Sequence, residues 1–288
     1  MREHTSGPSV VVGIDGSRSA LEAALWAIDE AASRDIPLRL VCALSPDCCP
    51  GAGAEERARC RADAHEAVRH ALSVVEATGK AVKTEAEMVH GRPSRALVEA
   101  SRSAVLLCVG SVGLRHSRGD PVGSTAAALA GAAWCPVAVV RGHDPHAART
   151  GWVVAEIAES DTTDVVLRHA LDEARLRAAS LRVMTTWQCG FTDIYDSHAV
   201  ADRNKLAKAR LDRRLAKWRR SYPDVDVHAV AVHGNTLAYL TKNADSIQLV
   251  VVAREHADTV RELVGPPGYA AVNHTNCSVL ICEPQNVL

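Results

Sequence analysis

Short apolar runs and amphipathic segments alternate along the first 141 residues of the chain. The run at residues 10–14 is followed by Ala24, Ala27, Ile28 and Ala31, whose i, i+3, i+4, i+7 spacing predicts one buried face of a helix. Uninterrupted apolar runs are typical of parallel strands that are covered on both faces. The pattern predicts strands at residues 10–14, 38–44, 82–89, 105–109 and 137–140, with helices that include 55–78, 94–101 and an alanine-rich segment after residue 124.

The same pattern returns in the second half of the chain. The buried helix positions of residues 24–31 recur at residues 167–174, at an offset of 143, since 167 − 24 = 143. The triplet Val-His-Gly at residues 89–91 recurs at residues 232–234 by the same offset. Concordant repeats in one order indicate an internal duplication. The sequence therefore predicts two domains, residues 1–147 and residues 148–288.

Each domain has the order β-α-β-α-β-α-β-α-β, which predicts a doubly wound α/β fold. Parallel strands joined by right-handed helical crossovers form a twisted five-stranded sheet with helices on both faces. For the strand order 3-2-1-4-5, the ligand crevice lies between strands 1 and 4, because their connections leave in opposite directions. In the first domain these two strands end at Asp15 and Gly110.

Glycines follow the fourth predicted strand, where this fold binds its ligands. Gly110 and Gly113 are followed, after nine further residues, by Gly123, Ser124 and Thr125, which open the alanine-rich helix. Glycine lets the backbone approach a ligand without a Cβ in the way, and a helix N-terminus offers unpaired N–H groups and a partial positive charge. We expect Ser124 or Thr125 to cap the helix or to turn its hydroxyl to a phosphate oxygen. The pattern predicts a phosphate site.

These residues resemble the nucleotide motif of the universal stress protein family, Gly-x2-Gly-x9-Gly-Ser/Thr. The first half matches the motif in full, and the resemblance extends over both halves of the chain. It implies an ATP-binding fold related to the adenine-nucleotide α-hydrolases, and a regulatory role under stress or growth arrest without a demanding catalytic step. The site residues that it implies are Gly13, Asp15, Ala43, Val109 and Gly110 towards the adenosine, and Gly113, Gly123, Ser124 and Thr125 around the phosphates.

The chemistry of the individual residues agrees with a nucleotide site. Asp15 can accept a hydrogen bond from adenine or ribose, and the small side chain of Ala43 leaves room for a flat base. The loop at residues 114–122 holds three side chains that can neutralise phosphate charge and one carboxylate that opposes them, so Mg²⁺ is a candidate accessory ion for ATP. In order these are Arg115, His116, Arg118 and Asp120.

The second half departs from the motif at several of these positions. Glu156 stands in place of Gly13 and Ala158 in place of Asp15. Gly265 survives, but Pro266 and Pro267 follow it and remove two N–H groups from the helix start. Ala253 and His256 replace the first two glycines of the motif. We expect one ATP site per chain, in the first half.

Composition excludes some classes of protein and leaves others open. The 288 residues are 47% hydrophobic with a net charge of −1, which gives no global bias towards nucleic acid or an anionic membrane. No apolar run reaches the roughly 18–20 residues of a membrane span, and the first strand starts too early for a signal peptide, so we expect a cytoplasmic protein.

Nine cysteines occur without a CxxC pair; Cys42, Cys108 and Cys282 lie in apolar runs and are expected to pack as small hydrophobes.

Three other functions stay open at this point. The first is a slow ATPase or nucleotidyl-transferring enzyme, which needs His116 or Asp120 as base or metal ligand. The second is a flavin carrier of a related fold. The third is nucleic-acid binding through the basic segment 203–220, although Leu211, Leu215 and Trp218 form a helical stripe there and the basic residues fit its solvent face.

The expected partners are a nucleotide and a second copy of the same fold. Relatives of this kind often pair through the last strand. Within one chain that edge can be covered by residues 137–140 against 279–282, which removes an exposed edge strand. Further dimerisation of the chain is left open, no membrane partner is expected, and nucleic acid is the least favoured partner.

Overall fold

The structure is a computed structural model, and it describes residues 7–44, 53–113, 123–142, 151–158, 160, 162–187, 197–264 and 277–282. The chain divides into two compact units: the described residues up to 142, together with Val264, belong to the first, and the other described residues belong to the second. The predicted boundary between residues 147 and 148 lies outside the described residues and stays a prediction, as does the pairing of the last strands.

The described residues of the first unit form five strands that alternate with four helices. The strands are β1 (Ser9–Ile14), β2 (Leu38–Leu44), β3 (Thr84–His90), β4 (Ala104–Gly110) and β5 (Val137–Val140). The helices are α1 (Arg18–Arg34), α2 (Ala54–Ala77), α3 (Pro93–Ala100) and α4 (Ser124–Ala132).

The described residues of the second unit repeat this order. The strands are β6 (Trp152–Glu156), β7 (Leu181–Trp187), β8 (Val227–His233), β9 (Ile247–Ala253) and β10 (Ser278–Cys282). The helices are α5 (Thr163–Leu176), α6 (Ser197–Ser221), α7 (Thr236–Lys242) and α8 (Ala257–Val264).

Within each unit the described strand pairs are parallel, and the predicted strand order is confirmed in both units. The order is β3-β2-β1-β4-β5 in the first unit and β8-β7-β6-β9-β10 in the second. In the first unit α1 packs beside α2, and α3 packs beside α4, as expected for helices that cover opposite faces of the sheet. The core is made of the strand valines and leucines and of the alanine-rich face of α1, where Ala24 and Ala27 are fully buried.

The repeated His-Gly turns have a backbone explanation. Gly91 and Gly234 follow β3 and β8 with φ angles of 142° and 111°, a conformation that L residues rarely adopt. The N–H of Gly91 donates to the carbonyl of Leu44, and that of Gly234 donates to the carbonyl of Trp187. Glycine therefore recurs at this offset because the same turn closes the same pair of strands.

Two further predictions are confirmed by burial. Cys42, Cys108 and Cys282 are buried thiols, and burial raises the pKa of the Cys282 thiol. In α6, Leu211 and Leu215 are buried under the basic surface. Among the described helices, none has the length and apolar character needed to cross a membrane.

Candidate functional site

The crevice of the first unit lies at the carboxyl ends of β1 and β4, which are neighbours in the sheet. Asp15 follows β1 directly and is exposed, and its Oδ1 accepts the N–H of Ser17 at 2.9 Å. The hydroxyl of Ser17 in turn accepts the N–H of Ala20 at 3.1 Å and caps α1. The carboxylate of Asp15 is thereby held at the mouth of the crevice.

Gly110 and Gly113 bring the segment after β4 close to the start of α1. A Cβ added at Gly110 would lie 2.5 Å from the carbonyl carbon of Ser19 and 2.6 Å from its carbonyl oxygen. A Cβ added at Gly113 would lie 2.6 Å from Oδ2 of Asp15. A side chain at Gly110 would have to displace the backbone of α1, so glycine is required there by close approach, whereas a side chain at Gly113 would displace only the carboxylate end of Asp15.

Gly123 joins this segment to the start of α4. Its N–H donates to the carbonyl of Ser111 at 2.7 Å, and an added Cβ would lie 3.5 Å from the nitrogen of Gly113. Gly123 is the N-cap of α4, so the first of the two expected roles, in which Ser124 or Thr125 caps this helix, is wrong, and the contact of their hydroxyls with a phosphate stays a prediction. The N-cap is set by the extended backbone of Gly123, with φ −66° and ψ 148°, and Ser124 is the first helical residue.

A glycine N-cap has a chemical consequence for α4. The first N–H groups of a helix have no intrahelical partner, and glycine supplies no side-chain oxygen to accept from them. They face the place where an anion would bind, beside the exposed hydroxyl of Ser124 and the half-buried Thr125. The loop at residues 114–122, with Arg115, His116, Arg118 and Asp120, lies outside the described residues.

The residues predicted towards the adenosine lie on three adjacent strands. Gly13 on β1 faces Val109 on β4, since a Cβ added at Gly13 would lie 3.2 Å from Cγ1 of Val109. Ala43 on β2 is half-buried and follows Cys42, which is paired with Ile14 at the end of β1. The fold thus places these residues at the same edge of the sheet as Asp15.

The sequence argument missed the serine hydroxyls that tie α1 to the segment after β4. The N–H of Val112 donates to Oγ of Ser19 at 3.4 Å, and Oγ of Ser17 donates to the carbonyl of Val112 at 3.4 Å. The spacing Asp15-x-Ser17-x-Ser19 after a buried strand, and its partial return as Ser160 and Thr162, was the available signal.

The second unit fills the equivalent crevice with its own side chains. Glu156, at the end of β6, is buried; one carboxylate oxygen accepts the hydroxyl of Thr236, and the other lies 3.7 Å from Nδ1 of His256. The contact between Glu156 and His256 is an ion pair that is too long for a hydrogen bond. The negative charge of Glu156, and more weakly that of Glu255, raises the pKa of His256 against the opposing effect of burial.

Glu255 forms a second polar contact in this crevice. Its carboxylate accepts the hydroxyl of Thr162, whose oxygen lies 2.9 Å from that of Ser160. Hydrogen bonds from Ser160 and Thr162 lower the pKa of Glu255. The crevice therefore presents carboxylates where a phosphate would bind, as predicted for Glu156 but not for Glu255. Gly265, Pro266 and Pro267 lie outside the described residues.

Comparisons with known proteins agree with this architecture. The sequence model of the universal stress protein family matches residues 8–141 and 153–283. Universal stress protein Rv2028c of Mycobacterium tuberculosis is 45% identical over 287 residues, which cover 99% of each chain. Universal stress protein Rv3134c of the same organism is 46% identical over 267 residues, which cover 92% of this chain and 94% of that one.

The fold is also that of a solved relative. The crystal structure of a universal stress protein from Archaeoglobus fulgidus superposes with a TM-score of 0.66 at 14% identity, covering 96% of this chain and 97% of that chain. Both repeats of the α/β fold are thus accounted for by one family. The chain belongs to the universal stress protein family.

Proposed function

We propose that the first unit binds ATP and that its occupancy serves a regulatory role under stress. The observation that supports the ligand is the close approach of Asp15, Gly113 and Gly123 beside the start of α4, where, among the described residues, glycine backbone lies next to the first helix N–H groups. The regulatory role is supported by family membership, since full-length relatives are named universal stress proteins.

The nucleotide is oriented by the two ends of the crevice. Asp15, Gly13 and Ala43 lie at the ends of neighbouring strands, where Asp15 can accept a hydrogen bond from the nucleotide and the small side chain of Ala43 leaves room for a flat base, whereas the space beside Gly13 is taken by the side chain of Leu97. The phosphates extend towards Gly113 and the start of α4, where N–H groups and the helix dipole favour negative charge. Val109, Gly110, Ser124 and Thr125 complete the set, with Mg²⁺ as an accessory ion of the phosphates.

The second unit does not take ATP in the same way. Glu156 and Glu255 occupy its crevice, and a triphosphate there would face two carboxylates. We therefore expect one nucleotide per chain.

Substitutions at Gly123 separate ATP binding from folding. Asp or Asn at this N-cap accepts an N–H of α4 and stabilises the helix by a few tenths of a kcal/mol relative to glycine. Gly123→Asp also places a negative charge where the phosphates bind, and we expect its ATP affinity to fall by about 100-fold, that is by about 2.7 kcal/mol. Gly123→Asn has nearly the same shape without the charge, and it should lose much less.

The measurement is isothermal titration with ATP, ADP and AMP, in the presence and absence of Mg²⁺, on the full chain. Wild type should bind one ATP per chain, and affinity should fall as phosphates are removed. Thermal unfolding of both variants checks that the fold is intact. Equal ATP affinity of wild type and Gly123→Asp, in a folded variant, would remove the proposal.

An enzymatic role has a separate test. Hydrolysis or nucleotidyl transfer needs a base or a metal ligand, and the two candidates, His116 and Asp120, lie outside the described residues. The comparison is product formation by wild type against His116→Ala and Asp120→Ala at saturating ATP. Turnover that either substitution abolishes, while ATP still binds, would assign catalysis to this loop.

A further inference from the structure

Helices α2 and α6 occupy equivalent places in the two units but differ strongly in charge. Each connects the second strand of its unit to the third. Helix α2 carries four arginines and five carboxylates, for a net charge of 4 − 5 = −1. Helix α6 carries nine lysines and arginines and two aspartates, for a net charge of 9 − 2 = +7. The whole chain has a net charge of −1, so positive charge is concentrated on one helix.

Packing explains why the outer face of α6 is polar but not why its net charge is so strongly positive. Leu211 and Leu215 are buried, which requires polar residues opposite them. Helix α2 meets the same requirement with charges of mixed sign, and mixed charges avoid like-charge repulsion along a helix. The large positive net charge of α6 therefore needs a reason outside the packing of its own unit.

Four exposed cations of α6 form a continuous row, which we call the basic stripe: Arg210, Arg213, Lys217 and Arg220. Their spacing of three and four residues places them on one face of the helix, over about 15 Å of its length. Leu211 and Leu215 lie on the opposite, buried face. The stripe is thus directed outward from the sheet that α6 covers.

Most of the basic stripe is not neutralised within the unit. Lys217 donates to Asp164 at 2.8 Å. Within the described part of the chain, Arg210, Arg213 and Arg220 make no ion pair with a carboxylate. The two aspartates of α6 contact other cations: Asp212 pairs with Arg219, and Asp202 pairs with Lys205.

We propose that the basic stripe is a docking surface for the phosphate backbone of a nucleic-acid duplex. A row of about 15 Å spans about four phosphate spacings of one strand, since the phosphates follow each other at about 3.4 Å along the helix axis. Three of the four residues are arginines, which bind phosphate through two parallel N–H groups. Binding of this kind is independent of base sequence.

Other polyanions fit the stripe less well. A membrane-bound amphipathic helix inserts an apolar face into the lipid, but the apolar face of α6 is buried in its own unit and only Leu206 is an exposed large apolar residue among those described in this helix. Unpaired strands are bound by stacking bases on aromatic side chains. The one aromatic residue of α6, Trp218, is half-buried and does not belong to the stripe.

The test is fluorescence anisotropy of a labelled DNA duplex of mixed sequence, titrated with the full chain over a range of salt. With four phosphate contacts, the plot of log affinity against log salt should have a slope of about −4, equivalent to a loss of about 100-fold between 50 and 200 mM salt. In the triple variant R210Q/R213Q/R220Q the slope should become shallower by about 3. The variant R210K/R213K/R220K, which keeps the charge, should retain most of the slope.

The matched control is R57Q/R59Q/R61Q, which removes three exposed arginines from α2 and changes the net charge of the chain equally. It should bind the duplex like wild type. Circular dichroism and thermal unfolding check the fold of each variant. The proposal is overturned if wild type fails to bind the duplex at low salt, if the α2 variant loses as much as the α6 variant, or if the chain binds phosphatidylserine vesicles but not the duplex.

Discussion

The two crevices share one strand framework and differ in what fills it. In the first unit Val12 pairs with Cys108, and in the second Ala155 pairs with Val251, which is the same register at an offset of 143, since 155 − 12 = 143. Among the described residues, the mouth of the first crevice carries the glycines at 110 and 113 and the carboxylate of Asp15. The second holds Glu156 in contact with Thr236 and close to His256.

The hydroxyl groups at the start of the first helix show the same difference. Ser17 and Ser19 bond to the backbone of Val112. At the equivalent place in the second unit, Thr162 donates to the carboxylate of Glu255, because the residue that replaces Val112 carries an acceptor of its own. The comparison teaches that a few side chains, rather than the backbone, decide whether this fold has an open anion site.

The largest effect that we expect concerns an ion pair present in both units. Glu30 pairs with Arg34 at 2.5 Å and Glu173 pairs with Arg177, and both carboxylates are fully buried. The Arg34 side chain is 29% exposed, whereas that of Arg177 is 3% exposed. Arg177→Met leaves a buried carboxylate far from water and should lower the free energy of unfolding by about 3–5 kcal/mol.

Arg34→Met is the matched substitution in the first unit. Because water reaches the position of this arginine, water can partly solvate Glu30 after the substitution. The loss in the free energy of unfolding should therefore be smaller, about 1–2 kcal/mol. Urea unfolding of both variants measures the two losses. Equal losses would show that burial of the arginine does not distinguish the units.

A smaller effect is expected when the last residue of β4, or the last residue of β9, is replaced by the residue found at the equivalent position of the other unit. Gly110→Ala places a Cβ against the backbone of Ser19, which cannot rotate away, and should lower the free energy of unfolding by about 1–3 kcal/mol. Ala253→Gly in the second unit creates no clash and should lower it by about 0.5–1 kcal/mol through chain entropy.

Urea unfolding again measures the free energy of unfolding of both variants. Titration of Gly110→Ala with ATP shows whether the added Cβ changes the affinity of the crevice for the nucleotide. A Gly110→Ala chain as stable as wild type would mean that α1 does not approach β4 as closely as described. A larger loss in Ala253→Gly than in Gly110→Ala would reverse the assignment of the tight contact.

The smallest expected effect depends on pH. Glu156 raises the pKa of His256, so this pair stabilises the fold fully below the unfolded histidine pKa of about 6.5, and its contribution is lost as pH rises through the raised folded pKa. Glu156→Gln keeps a partner for Thr236 but removes the charge. It should lower the free energy of unfolding by about 1 kcal/mol at pH 6 and by less at pH 9.

The direct measurement is the NMR titration of the His256 ring in both chains. Its pKa should be lower in Glu156→Gln than in wild type. An unchanged His256 titration would contradict the contact.

The sequence predicted the fold well because the buried strands carry unbroken apolar runs. The strands β2 and β5 begin and end where the pattern places them. The prediction for β3 was less accurate: residues 82–89 were expected and Thr84–His90 is found. This strand lies at the edge of the sheet and carries the polar residues Glu85 and Glu87, so its apolar pattern is weak.

The candidate site was predictable only where a residue type has one physical meaning. Glycines at Gly110 and Gly113 signal close approach, and the structure gives the atoms that they approach. Hydroxyl and carboxylate groups have many potential partners, so the contacts of Ser19 and Glu255 depend on the path of another segment. The expected capping of α4 by Ser124 or Thr125 was wrong for the same reason, since the backbone angles at Gly123 decide which residue is the N-cap.

The two hydrogen bonds that hold Val112 between Ser17 and Ser19 bear on how a nucleotide would be received. They fix the peptide groups on both sides of this residue before any ligand arrives, so association would require little further ordering of the segment at 110–113. The amide of Val112 should therefore exchange slowly with deuterium even in the empty protein, and the docking rate would be set by diffusion and electrostatic attraction rather than by a preceding rearrangement.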